Sequence, residues 1–162
     1  RGGYLRLRTT KAVIYDSEES LYKMWYSQRL DEWEHRIDYA TSSDGVTWTK
    51  YGSNPVLSKG SSGEWDDMRV MINDVVKTSG DTYYMWYTGT NSSSVNGTGL
   101  ATSTDGVNWV KSGTGDELAP GNAGEWDDTS VGASSVIYMN GQYRLYYHGS
   151  DGTNNRIGYA YQ

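Results

Sequence analysis

Carboxylates are the first side chains of this 162-residue chain that could do chemistry. The phrase Gly63-Glu64-Trp65-Asp66-Asp67 returns as Gly124-Glu125-Trp126-Asp127-Asp128. Paired carboxylates serve hydrolases as acid and base when their surroundings push their pKa values apart. A phrase written twice in one setting gives equivalent surroundings, which do not separate roles. These carboxylates therefore read chiefly as scaffold. Trp65 and Trp126 are expected to pack between repeated units, and one Asp of each pair to accept loop N–H groups.

Residues that the repetition does not explain carry more information. Trp33 lies in the charged stretch QRLDEWEHR (28–36), where the next unit has the bland TNSSSVNGT (90–98). Connecting loops are where binding chemistry gathers. An exposed indole flanked by Asp31, Glu32, Glu34 and Arg36 suits a sugar ring, with the polar groups on its hydroxyls. The competing reading is a solvated loop that Trp33 pins to a neighbour. Arg69, Asn73 and Asp74 are a second set, matched by Ser130, Ser134 and Ser135. Plain alternation puts Arg69 and Asn73 on one strand face, as a polar channel wall or as hydrogen bonds sealing a core, and Asp74 on the other. Asp38 stands where later units have Gly99 and Gly158, and is expected to pair with Arg36 across a turn. The candidate ligand-binding set is thus Trp33, Glu34, His35, Arg69, Asn73 and Asp74. Any catalytic carboxylates would come from asymmetric positions, namely Asp74 and Glu34.

No cofactor is expected. His35 and His148 are the only histidines and share no zinc-ligand spacing. The stretch SDGTNN (150–155) has oxygens enough for a weak calcium (Ca2+) site or for a solvated turn.

What must position these groups is a repeat. Trp25 and Trp86, Trp48 and Trp109, and Trp65 and Trp126 are each 61 residues apart. YKMWYS (22–27) returns as YYMWYTG (83–89) and YRLYYHG (143–149); YATSSDGVTWTK (39–50) returns as LATSTDGVNWVK (100–111). Within a unit the residues alternate as strands do, and no window holds a helical period. Asp44-Gly45, Asp105-Gly106 and Asn140-Gly141 are hairpin signals. Unit two reads as strands over 69–77, 82–89, 99–104 and 107–112. Four-stranded units at a fixed period are the sign of β-propeller blades. The fold class is therefore all-β, with blades over about 1–63, 64–124 and 125–162, the third lacking its outer strand.

Composition bounds the partners. Net charge is −6, which argues against a nucleic-acid backbone. No apolar run is long enough to span a bilayer as a helix. Cysteine is absent, so neither disulfides nor thiolate chemistry is available, and the compartment stays open.

The string V-I/V-x-x-G-x-Y-x-M-W-Y-x-G, followed by R-I-G-Y-A-T-S-x-D-G-x-x-W-x-K and G-x-W-D-D, resembles blades of the five-bladed propeller glycoside hydrolases, such as arabinanases, β-xylosidases and fructosidases. The S-x-D-G-x-x-W stretches also resemble the Asp-box hairpins of sialidase propellers. The hydrolase resemblance implies an inner-strand carboxylate in an Asp-Pro-x-Val phrase. Aligning on Val13, Val75 and Val136 puts Thr10, Ile72 and Ala133 at the Asp position, and Lys11, Asn73 and Ser134 at the Pro position. The resemblance thus implies a carbohydrate-associated propeller that binds glycans rather than hydrolysing them. The alternatives are a non-catalytic assembly module and a piece of a full-length five-bladed hydrolase. Propellers close with about 4–8 blades. Three blades are expected to leave apolar flanks at both ends, so a homodimer closing a six-bladed ring is expected as the partner.

Overall fold

The computed structural model describes residues 11–30, 35–113 and 117–161. All regular structure among them is β. The strands are β1 (Lys11–Asp16), β2 (Leu21–Arg29), β3 (His35–Ser42), β4 (Thr49–Lys50), β5 (Arg69–Lys77), β6 (Tyr83–Thr90), β7 (Asn96–Ser103), β8 (Val110–Ser112), β9 (Ser130–Met139), β10 (Gln142–Ser150) and β11 (Asn155–Tyr161). They form three antiparallel sheets in sequence order, β1 to β4, β5 to β8 and β9 to β11. Two sheets are thus four-stranded and the third is three-stranded, as the propeller reading requires.

Alternation explains the layering. In β6, Tyr83, Met85 and Tyr87 point to the first sheet, where Ala12, Trp25, Ile37 and Tyr39 complete one core cluster. Tyr84 and Trp86 point the other way, to Val131, Val136 and Leu145 of the third sheet. The middle sheet is buried on both faces, and the inner strands lie side by side, β1 against β5 and β5 against β9. Burying one such large apolar side chain stabilises the fold by roughly 1.5–3 kcal/mol. The Trp25 indole also donates to Gly106 O at 2.7 Å, so a hairpin of the second sheet is tied to the first.

Turn chemistry accounts for the connections. Asn140 and Gly141 both take positive φ, 53° and 81°, as a two-residue hairpin between β9 and β10 needs. Asp44 Oδ1 accepts the N–H groups of Val46 and Thr47, while Ser42 Oγ accepts that of Gly45. Ser103 and Asp105 repeat this arrangement. These turns absorb residues assigned above to the outer strands, and so β4 and β8 are short.

One sequence expectation fails for a physical reason and another holds only in part. Ile72 pairs with Tyr87 but Asp74 with Trp86, so Asn73 is an extra residue in the ladder. Such a β-bulge reverses the alternation: Asp74 joins Arg69 on the face toward the third sheet instead of opposing it. The first sheet's outward flank is open only in part: Met24, Tyr26 and Ala40 are buried there, while Val13 and Tyr15 beside them are exposed. Among the described residues the third sheet has the broader exposed apolar face.

Candidate functional site

The acid-rich loops behave as scaffold. Asp66 is buried and its Oδ2 accepts from Lys111 Nζ at 2.6 Å and from Tyr87 Oη at 3.3 Å. Asp127 holds Tyr147 Oη at 2.7 Å in the same way. Burial together with the neighbouring Asp127 pushes the Tyr147 phenol up to about 12. The second Asp of each pair takes backbone donors: Asp67 accepts Gly63 N and Ser92 N, and Asp128 accepts Gly124 N. Trp65 lies on Tyr87 with ring centroids 5.5 Å apart. A Cβ on Gly89 or Gly99 would run into that indole, and one on Gly149 or Gly158 into Trp126. Each of these loops thus wedges a tryptophan over glycines of two neighbouring strands.

Among the described residues no tryptophan wedge of this kind lies over the first sheet. Tyr26, Tyr87 and Tyr147 face Asp38, Gly99 and Gly158 across equivalent strand pairs. Asp38 fills the place of the glycine, is buried, and receives Arg36 Nε at 3.1 Å. Arg36 and Asp38 stand two apart on β3, so the pair runs along one strand face and not across a turn. Burial raises the Asp38 carboxyl above its ordinary range, against the opposing pull of Arg36. Tyr26 is wholly buried with no hydrogen-bond partner for its hydroxyl among the described residues, and burial pushes that phenol up to about 12.

The candidate residues separate into two groups. Arg69, Asn73 and Asp74 come together on the face between the second and third sheets. Arg69 Nε donates to Thr90 Oγ1 at 3.0 Å, and Thr88 Oγ1 donates to Asn73 Oδ1 at 3.1 Å. Asn73 Nδ2 and Thr98 Oγ1 are buried without partners among the described residues. Asp74 spans the sheets: Oδ1 accepts Val75 N at 2.9 Å, and Oδ2 accepts Ser135 Oγ at 3.0 Å and Val136 N at 2.8 Å. His35 is buried at the start of β3, opposite Arg29, on the face toward the second sheet. Trp33 and Glu34 lie outside the described residues, as does Thr10. No set of three or more His, Asp or Glu among the described residues could hold a metal ion. The calcium candidate is a closed turn, in which Asp151 Oδ1 accepts Thr153 N and Asn154 N.

A charged cluster between the first and second sheets escaped the reading of singletons. Lys23 is buried, with Nζ 2.9 Å from Asp16, 2.7 Å from Glu19 and 2.8 Å from Tyr83 Oη. Lys77 joins from β5 to Asp16, Glu18 and Asp81. Burial alone would raise the Asp16 carboxyl, yet hydrogen bonds from Lys23, Tyr83 and Lys77 hold it well below the usual range. The signal was present: Lys23 shares a strand face with Trp25, and a cation on an apolar face implies a buried counter-charge.

The blade architecture with this sheet order matches the fold of solved structures, glycoside hydrolases among them. A family 117 glycoside hydrolase of the marine bacterium Zobellia galactanivorans matches with TM-score 0.79 and 19% identity, over 98% of this chain and 57% of that one. A β-1,2-mannobiose phosphorylase from Listeria innocua matches with TM-score 0.76 and 19% identity, over 94% and 43%. An N-acetylgalactosamine deacetylase from F. plautii, solved with blood group B trisaccharide, matches with TM-score 0.73 and 22% identity, over 95% and 49%. In sequence, an uncharacterized protein found in two strains of Mycobacterium tuberculosis is 32% identical over 143 residues. The match takes in 85% of this chain, which spans 44% of the length of those relatives. No family model matches the chain.

Proposed function

We propose that this chain recognises glycans and does not itself hydrolyse them, using the Arg69–Asn73 face between the second and third sheets together with the stretch that contains Trp33, Glu34 and His35. The observation that carries this reading is the use made of Asp74. All three of its hydrogen bonds go to backbone or to Ser135, within β5 and to β9, which leaves it to join strands and not to move protons. The inner-strand position where the hydrolase pattern puts its Asp is the wholly buried Ile72. A guanidinium is a good donor to sugar hydroxyls, and Arg69 is only partly buried. Structural neighbours with this blade type include a hydrolase, a phosphorylase and a deacetylase, so the glycan class rests on fold analogy and the chemistry must come from the site.

The test is a glycan array followed by titration of the best ligand. Arg69→Ala or Trp33→Ala is expected to weaken binding roughly 10- to 100-fold, the worth of one or two lost contacts to a sugar. Hydrolysis of a glycan by the unaltered chain that disappears in a folded Asp74→Asn variant would overturn the proposal.

A second reading is favoured by the coverage of the relatives, 44% of their length. It makes these blades part of a larger carbohydrate-active assembly whose reacting carboxylates lie on other blades. Activity of a longer homologue that survives replacement of Arg69 and Asn73 counterparts would support it over the first.

A further inference from the structure

The outer edges of the first two sheets, at the far end of the strand order from β5 and its Arg69, enclose a cleft of about 320 Å³. Sites for small molecules begin at about this size. The segment after β4 forms one wall, with Tyr51, Ser53 and Pro55, and the turn into β8 forms the other, with Asn108, Trp109 and Val110. No charged side chain is among the described residues that line it. The repeat does not account for this lining. Tyr51, Pro55 and Val56 have Ser112, Asp116 and Glu117 as their counterparts 61 residues on, an equivalence fixed by the matching bridges of Ile37 to Leu57 and Thr98 to Leu118. Nor does core packing use the lining up, since Tyr51 is 40% and Val110 69% exposed.

Both aromatic walls rest on the wholly buried Trp25. Trp109 meets it edge to face with ring centroids 6.0 Å apart, and the two indoles donate to the same Gly106 O, at 3.0 and 2.7 Å. On the other side Tyr39 lies 5.2 Å from Trp25, and Tyr51 meets Tyr39 edge on at 6.1 Å. Asn54 clamps this loop by accepting Tyr39 N and donating to Tyr39 O. With its N–H engaged, the Trp109 indole offers a ligand carbon surface alone. Ser53 adds a hydroxyl, and Asn108, whose Nδ2 donates to Asp105 Oδ2 at 2.7 Å, adds a carbonyl oxygen. Rigid aromatic surfaces with neutral hydrogen-bonding groups beside them match an uncharged sugar, whose ring faces are apolar and whose rim carries hydroxyls. A uronic acid or a phosphorylated sugar would bring an anion to a lining without a cation, in a chain of net charge −6.

We propose that this cleft is a second saccharide site, selective for neutral sugars, beside the Arg69–Asn73 face. The glycan class rests on the reading above, while the place and the neutrality come from the cleft itself. The test is calorimetric titration of the 162-residue chain with neutral hexose and pentose oligosaccharides and with uronic-acid oligomers, read together with NMR spectra of the tryptophan indole N–H groups. A neutral oligosaccharide is expected to shift the Trp109 signal, and uronic-acid oligomers to leave it in place. Tyr51→Ser, which installs the residue found in the next unit, is expected to weaken this binding about tenfold, the worth of one aromatic surface. Tyr51→Phe is expected to keep it, and Arg69→Ala to leave the Trp109 shift intact. If Tyr51→Ser alters the far-ultraviolet circular dichroism, Val110→Asp on the exposed edge strand takes its place, with loss of the Trp109 shift expected. A Trp109 signal that no neutral oligosaccharide moves overturns the proposal; sugar binding that Arg69→Ala then abolishes leaves the first reading standing alone, and no sugar binding at all removes both. Uronic-acid oligomers that bind as tightly as neutral ones also overturn it, as does a proline-rich peptide that fills the cleft where sugars do not.

Discussion

Two buried aspartates of the first sheet end with their carboxyls shifted in opposite directions, because burial raises both and only Asp16 has hydrogen bonds enough to reverse it. Asp16 is held by Lys23 at 2.9 Å and by Lys77 at 3.2 Å, and its carboxyl is depressed. A depressed carboxyl contributes stability that is complete above the unfolded-state value of about 4 and is lost as pH falls below it toward the folded value. Asp38 is raised, mainly by burial. The folded state then binds more protons than the unfolded one between the two values, so stability falls as pH rises through that window and the cost persists at neutral pH. Asp16→Asn is therefore expected to cost about 3 kcal/mol at pH 7, because it leaves Lys23 buried beside fewer charges. Asp38→Asn is expected to be neutral or stabilising at pH 7 and to flatten the acid side of the profile. Urea titrations from pH 3 to 8 read both. Equal losses for the two variants at pH 7 would contradict the assignment.

At the scale of elements, the repeat was legible because it is written in large side chains and turn residues. The positions of β5, β6 and β7 and the hairpin at Asn140-Gly141 follow from alternation and from positive-φ chemistry. The bulge at Asn73 was not legible, since a single inserted residue leaves the strand composition unchanged and only the ladder reveals it. It altered the candidate site more than any other feature, by bringing Asp74 round to Arg69's side. The glycine at position 99 was legible as a difference from Asp38 but not as a cause. Its cause is the Trp65 indole, 2.7 Å from where a Cβ would stand, with the Tyr87 ring equally close. Gly99→Ala is expected to destabilise by about 1–3 kcal/mol through overpacking. Gly52→Ala, at a turn with nothing within 4 Å of the new Cβ, is expected to change stability by under about 0.5 kcal/mol. Thermal melts of the two variants measure the difference, and a tolerated Gly99→Ala would mean that the wedge is looser than the geometry states.

Over the whole molecule, stability should be unevenly spread, because burial is. The middle sheet has neighbours on both faces, with Met85 and Trp86 pointing into opposite cores and both buried. The third sheet shares one core with it and leaves the other face to water. Its tie across the gap is the Asp74 carboxylate, reaching Ser135 Oγ and Val136 N on β9. Amide protons in the centre of β6 can exchange only when both cores open, whereas those of the edge strand β11 need only local fraying. Hydrogen exchange is thus expected to be slowest in Tyr83–Thr90 and fastest, among the longer strands, in Asn155–Tyr161. Asp74→Ala is expected to speed exchange in β9 to β11 while leaving β1 to β3 unchanged, since the lost bonds join only β5 and β9. Uniform acceleration in all three sheets would show that the blades unfold as one cooperative unit, and that the Asp74 tie is not a local hinge point between them.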